Sequence, residues 1–223
     1  MKITAVIPAY NESQTIRQVV EAVSQKVNSV VVVDDGSSDQ TAGLAKEAGA
    51  TILKHFLNRG QGAALQTGII FALEQGADII VTFDADGQHR PEDIDHIVQP
   101  LLLAETDVVL GSRFLSPKSQ IPNPKKLVLK FATLLTKFYT GLPVTDTHNG
   151  FRAFSRQAAQ LIKIKQDGMA HASEIIEQIK KHQLRFKEVS VTLKYTDYSQ
   201  QKGQRISNSF RIIWDLIFGR ISR

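Results

Sequence analysis

Asp78-Ile79-Ile80-Val81-Thr82-Phe83-Asp84-Ala85-Asp86-Gly87 decides how the rest of the chain is read. The apolar run is too continuous for a half-exposed strand and reads as one buried on both faces. Two carboxylates and a glycine then stop it. The same figure occurs three times upstream. Lys2–Pro8 runs into Tyr10-Asn11-Glu12, Val27–Asp34 into Asp35-Gly36-Ser37, and Thr51–Lys54 into Asn58-Arg59-Gly60-Gln61-Gly62. Helical patterns lie between: Ile16, Val19, Val20 and Val23 after Ser13, read as N-cap; then Thr41–Ala48; then Gly62–Glu74. Strands alternating with helices predict an α/β fold, a mostly parallel central sheet flanked by helices. Ligands of such sheets collect outside the carboxyl ends of the strands, where these polar clusters recur.

Downstream the texture changes. Asp107–Gly111 is a further strand, followed by Ser112-Arg113, and Ser116–Pro124 holds three prolines and reads as a loop. Helices are expected over Lys125–Tyr139 and 172–181, an alternating strand over Phe186–Tyr195, and a last amphipathic helix over Ser207–Ile221. A short helix near Pro91 is expected to expose Asp93, Asp95 and His96. The reading is one catalytic domain over residues 1–204, with a first half to about 113 and a second half from 114. Residues 205–223 form an appended helix.

The 223 residues include no cysteine, so any metal must be held by oxygen or nitrogen. No run of 18 apolar residues exists, and the chain opens directly on a strand, so neither a membrane span nor a leader is expected. Charge is uneven. Residues 1–100 carry 7 Lys+Arg against 13 Asp+Glu, and residues 101–223 carry 20 against 9. A basic half suits nucleic acid, anionic lipid or a phosphorylated substrate.

Asp84 and Asp86, two residues apart across a turn, repel each other unless a cation sits near them. Mg²⁺ or Mn²⁺ suits the pair, with a diphosphate adding ligands and Gln88 or His89 close behind. The competing reading is an acidic loop cap. Asp34 and Asp35 can accept hydrogen bonds from a nucleobase or ribose, although the turn also reads as a helix cap. Asn58–Gly62 can seat a phosphate through backbone N–H groups and Arg59. Arg113 and Arg152, read as lying in polar breaks, can neutralise a leaving diphosphate. His89 and His148 stand near these motifs; His55, His171 and His182 have no motif context.

Taken together, Val6–Glu12, Val33–Ser37, Asn58–Gly62, Phe83–Gln88 and Gly111-Ser112-Arg113 resemble glycosyltransferase family 2. Asp146-Thr147-His148-Asn149-Gly150-Phe151-Arg152 adds a likeness to its branch of dolichyl-phosphate mannose synthases and bacterial polyprenyl-phosphate sugar synthases. The resemblance covers roughly residues 1–195 and implies a single nucleotide-diphospho-sugar transferase domain. It implies that Pro8, Tyr10, Glu12 and Asp35 line a nucleoside pocket and that Asp84 meets the donor. Asp86 and Gln88 would hold the metal, Arg113 would lie beside both phosphates, and Asn149, Gly150 and Arg152 would lie near the acceptor. The chain departs at Gln61, where lysine is usual, and near the C-terminus, where Lys202 or Arg205 would take over a phosphate contact.

The implied reaction is a one-step, inverting displacement from a UDP- or GDP-sugar onto undecaprenyl or dolichyl phosphate. That acceptor is already anionic and needs cations rather than a base. The alternative is a saccharide hydroxyl acceptor, with Asp146 or Glu174 as base. A sugar nucleotidyltransferase would need a glycine-rich N-terminal loop, where Pro8-Ala9-Tyr10-Asn11 stands instead. A nucleic-acid binder would leave Asp84-Ala85-Asp86 unexplained, so no nucleic-acid partner is expected. The aliphatic and basic helices predict a cytoplasmic enzyme peripheral on the inner face of the cell membrane. The final helix would lie on an anionic surface, or pack against a small membrane protein or a second copy.

Overall fold

The computed structural model describes residues 1–117 and 123–193. The strands are β1 (Ile3–Ala9), β2 (Ser29–Asp34), β3 (Thr51–Lys54), β4 (Ile79–Thr82), β5 (Val108–Ser112), β6 (Arg152–Ser155) and β7 (Phe186–Ser190). The helices are α1 (Ile16–Ser24), α2 (Thr41–Glu47), α3 (Gln61–Glu74), α4 (Asp93–Leu102), α5 (Asn123–Thr140), α6 (Arg156–Leu161) and α7 (His171–Lys181). One seven-stranded sheet has the order β3-β2-β1-β4-β6-β5-β7. Its pairings are parallel except where β6 runs antiparallel to both β4 and β5.

Alternation along each strand feeds two cores. Ala5, Ile7, Ile79 and Val81 face α1 and α4, whose Val19, Val20, Ile94 and Ile97 meet them. Val6, Ile80, Val108 and Leu110 face the other layer, with Leu65 and Ile69 of α3 and Ile175, Ile176 and Ile179 of α7. Both faces of β1 and β4 are therefore buried, which is why their sequences read as continuous apolar runs.

Several expectations need correction. β6 and α6 were not foreseen: Asn149–Arg152 read as a polar break, whereas Arg152 starts a four-residue strand buried between β4 and β5. Ser13 is not the cap of α1. The N-cap position is Thr15, without a side-chain cap bond, while the Ser13 N–H donates to Asp39. Asp93 is buried rather than exposed, its carboxylate accepting the Thr192 N–H at 2.8 Å. The last strand is shorter than expected, ending at Ser190. The expected 207–221 helix, Lys202 and Arg205 lie outside the described residues. Among the described residues, no helix is long and apolar enough to cross a membrane.

Candidate active site

Because β6 is reversed, its amino end lies at the same edge of the sheet as the carboxyl end of β4, with Arg152 opposite Thr82. That register brings the loop before β6 onto the acidic turn after β4. The Thr82 hydroxyl donates to the Gly150 carbonyl at 2.6 Å. A Cβ at Gly150 would stand 2.7 Å from an Asp84 oxygen, so only glycine lets the two segments approach this closely.

Asp84 accepts a hydrogen bond from the Gln61 amide at 3.0 Å and pairs with His89 Nε2 at 3.1 Å. Burial would raise its pKa, but the His89 hydrogen bond first, with the Arg113 charge beside it, outweighs that and holds Asp84 below its ordinary value. His89 is wedged between Phe83 and Phe151, with ring centroids 5.6 and 5.1 Å away. Asp86 differs. Burial, then the neighbouring Asp84 charge, pushes it up to about 6, against one backbone bond from Gln88 at 2.9 Å. A carboxylate made reluctant to ionise by its neighbour is relieved by a divalent cation. No cluster of three or more His, Cys, Asp or Glu suited to a metal occurs among the described residues. The pair thus fits an ion whose remaining ligands come from a substrate's oxygens.

The donor-side turns differ from their sequence reading. Asp34 is buried, accepts the Ser37 N–H at 3.0 Å and lies 3.8 Å from Lys54 Nζ. Asp35 accepts the N–H groups of Arg59 at 3.0 Å and Gly60 at 2.7 Å, and pairs with His55 Nδ1 at 2.6 Å. Gly62 donates its N–H to the Asp167 carbonyl at 2.8 Å. The expected phosphate cradle of backbone N–H groups in Asn58–Gly62 is therefore corrected: Arg59, Gly60 and Gly62 spend theirs inside the protein. The Arg59 side chain remains at the surface, 3.9 Å from Asp167. Pro8 is buried beneath this edge, Tyr10 is half exposed at the end of β1, and Glu12 is partly buried.

The two arginines also part company. Arg113 and Asp146 form a buried pair, Nε to Oδ2 at 2.6 Å and Nη2 to Oδ1 at 3.2 Å. Glu188 holds the loop in place by accepting the N–H groups of Thr145 and Asp146. Among the described residues, Arg152 has no carboxylate in ion-pair contact. It donates to the carbonyls of Asn149, Thr147 and Ala172, and burial pulls its pKa down to about 10. It is an interior brace between the 147–149 loop and α7, not a charge in a polar break. His171, which had no motif context, lies against Gly62 and within electrostatic reach of Asp84. Burial pulls both His148 and His171 down to about 4. No local signal announces His55, whose partners Asp35 and Thr67 are distant in sequence, or His171, whose ring bonds the nearby Gly168 carbonyl but which stands against Gly62.

The sequence model of Glycosyl transferase family 2 matches residues 4–162, and the chain belongs to that family. It is a glycosyltransferase. An uncharacterised protein of Methanocaldococcus jannaschii is 40% identical, the match covering 99% of this chain and 93% of the relative. The UDP-N-acetylglucosamine–dolichyl-phosphate N-acetylglucosaminyltransferase of Methanococcus voltae is 34% identical over 98% of this chain and 96% of its own length. The fold is also that of glucosyl-3-phosphoglycerate synthase from Mycobacterium tuberculosis, solved with Mn²⁺, UDP and phosphoglyceric acid. That match has a TM-score of 0.75 at 20% identity, over 97% of this chain and 77% of that one.

Proposed function

We propose that the chain moves a sugar from a UDP- or GDP-linked donor to a polyprenyl phosphate, undecaprenyl or dolichyl, in one inverting displacement. The observation that carries this reading is that both carboxylates considered as bases for a hydroxyl acceptor are engaged. Asp146 is locked in its buried pair with Arg113, and Glu174 accepts the N–H groups of Lys165 and Gln166. Freeing Asp146 would strand a buried charge at a cost of about 3–5 kcal/mol. A phosphate acceptor makes no such demand.

An apolar, basic approach surface supports the same reading. On α5, Leu127, Phe131, Leu134 and Phe138 are exposed at helical spacing, with Lys126, Lys130 and Lys137 exposed beside them. The surface suits an anionic membrane face; a small membrane protein or a second copy would be the other occupants. The Methanococcus voltae relative is named for a dolichyl-phosphate acceptor.

In this reading Pro8, Tyr10, Glu12, Asp34, Asp35, Arg59 and Gly62 form the donor side and Asp84 meets the sugar nucleotide. Asp86 and Gln88 hold Mg²⁺ or Mn²⁺, which when bound would neutralise charge on the departing diphosphate. Arg113 adds positive charge at the leaving group, partly offset by Asp146, while Arg152 keeps the loop of Asn149 and Gly150 against Asp84. Lys202 and Arg205 are assigned to the acceptor phosphate. The test is a panel of UDP- and GDP-sugars offered with a short polyprenyl phosphate or with saccharides, in Mn²⁺ and in chelator. Metal-dependent formation of an inverted, lipid-linked product is expected. Transfer to saccharides alone would sink the acceptor assignment.

A further inference from the structure

Phe56 is 97% exposed, the most exposed of the large apolar side chains described, and it lies two residues beyond the end of the short edge strand β3. Its exposure is built in. On one side His55 is fixed through Asp35 at 2.6 Å and Thr67 at 3.0 Å. On the other, Arg59 and Gly60 are tied to Asp35. Gly36 lies beneath, so close that a Cβ would stand 2.8 Å from the Asn58 nitrogen and 2.9 Å from the Leu57 carbonyl carbon. A turn pinned at both ends and underneath cannot fold its ring into the core, and it holds that ring in water.

The surroundings say what the ring is for. β2 separates β3 from β1, so Phe56 and the half-exposed Tyr10 stand at strand ends on either side of Asp35, about two strand spacings or roughly 10 Å apart. A flat heterocycle matches two aromatic rims at the ends of nearby strands. We propose that Phe56 is a donor-binding residue that stacks on the nucleobase of the sugar nucleotide. The inference rests on the donor-side reading above and adds a residue that reading does not include. Stacking of this kind tolerates either base, since every base presents a π-face. Phe56 therefore sets affinity for the nucleotide without choosing between uracil and guanine.

The test uses the full chain with Mn²⁺, titrated calorimetrically with UDP, GDP and inorganic pyrophosphate. Phe56→Ala weakens whichever nucleotide the unaltered chain binds by about tenfold and leaves pyrophosphate unchanged. Phe56→Tyr restores nucleotide binding and Phe56→Leu does not, which separates a π-face from mere apolar bulk. In turnover, Phe56→Ala raises the donor KM by a similar factor with kcat at saturation retained. Unchanged nucleotide affinity in Phe56→Ala overturns the inference and leaves the donor reading standing. An equal loss for pyrophosphate also overturns it, because the defect would then lie in the turn and not at the base. If the unaltered chain binds neither nucleotide, the donor reading and this inference fall together.

Discussion

The turns after β2 and β3 and the loop before β6 reach the same edge of the sheet, yet they treat their polar groups differently. In the first pair of turns, Asp35 gathers His55 and the N–H groups of Arg59 and Gly60, while Asp34 takes Ser37. Among the described residues, buried atoms of Thr147, His148, Asn149, Arg152 and Ser173 around the loop before β6 find no protein partner, against Asp34 Oδ2 alone in the two turns. Buried polar groups are rarely left so, and each of the five around the loop can donate a hydrogen bond. Both sides are tied down by their own bonds, the second through Asp146, Glu188 and Arg152, but the second keeps more buried donors uncommitted to protein.

Asp86→Ala breaks the comparison most severely, because it removes the carboxylate at the meeting point of the two sides. Turnover is expected to fall by about a hundred- to a thousandfold, with Mn²⁺-dependent UDP or GDP binding lost and the thermal melt nearly unchanged. Full turnover of this variant in excess chelator would refute the metal assignment. Asp146→Asn attacks the buried pair with Arg113. It leaves Arg113 buried without its counter-charge and is expected to cost about 3–5 kcal/mol of stability in a denaturant titration. Nucleotide affinity of the folded fraction should not fall, since Arg113 keeps its charge and loses only its offset, and a loss of affinity would mean that Asp146 positions Arg113 for the donor.

Acid should loosen the side of the loop before β6. His148 and His171 are held near 4 against an ordinary 6.5, so as pH falls the unfolded chain takes up protons first. Stability is full above 6.5 and declines from there toward 4, by up to about 3 kcal/mol per histidine. Denaturant midpoints at pH 7 and pH 5 check the sign, and His148→Gln should flatten the dependence. The smallest effect is expected on the donor side. His55→Ala removes one of three contacts on Asp35 and should weaken nucleotide binding a few-fold, or roughly 1 kcal/mol. Restoration by His55→Asn would tie the loss to positioning.

How much of this was legible depends on sequence range. β3 has the bounds expected, and β1, β2 and β4 lie within a residue or two of theirs, because an apolar run carries its own evidence. β6 was hidden because four residues beginning with arginine form no pattern until β4 and β5 close around them. The glycine turn was recognised as a turn, but its N–H groups are claimed by Asp35, 24 and 25 residues earlier, and by Asp167, far downstream. Spacing within a motif cannot reveal a partner outside it. The pairing of Arg113 with Asp146 was out of reach of any local motif for the same reason, since 33 residues separate them.

The reversed strand has a consequence for synthesis. Among the described residues β6 is the only strand joining a four-stranded sheet to the β5–β7 pair. Until residues 152–155 leave the ribosome, β4 and β5 each carry an apolar edge with nothing beside it. Pairings that close over such separations are slow to form, and open edges in the meantime invite other chains. A half-made chain is therefore the species most exposed to aggregation. The arrival of β6 closes that gap and of the two strands leaves only β5 open, at its outer edge, until β7 is made.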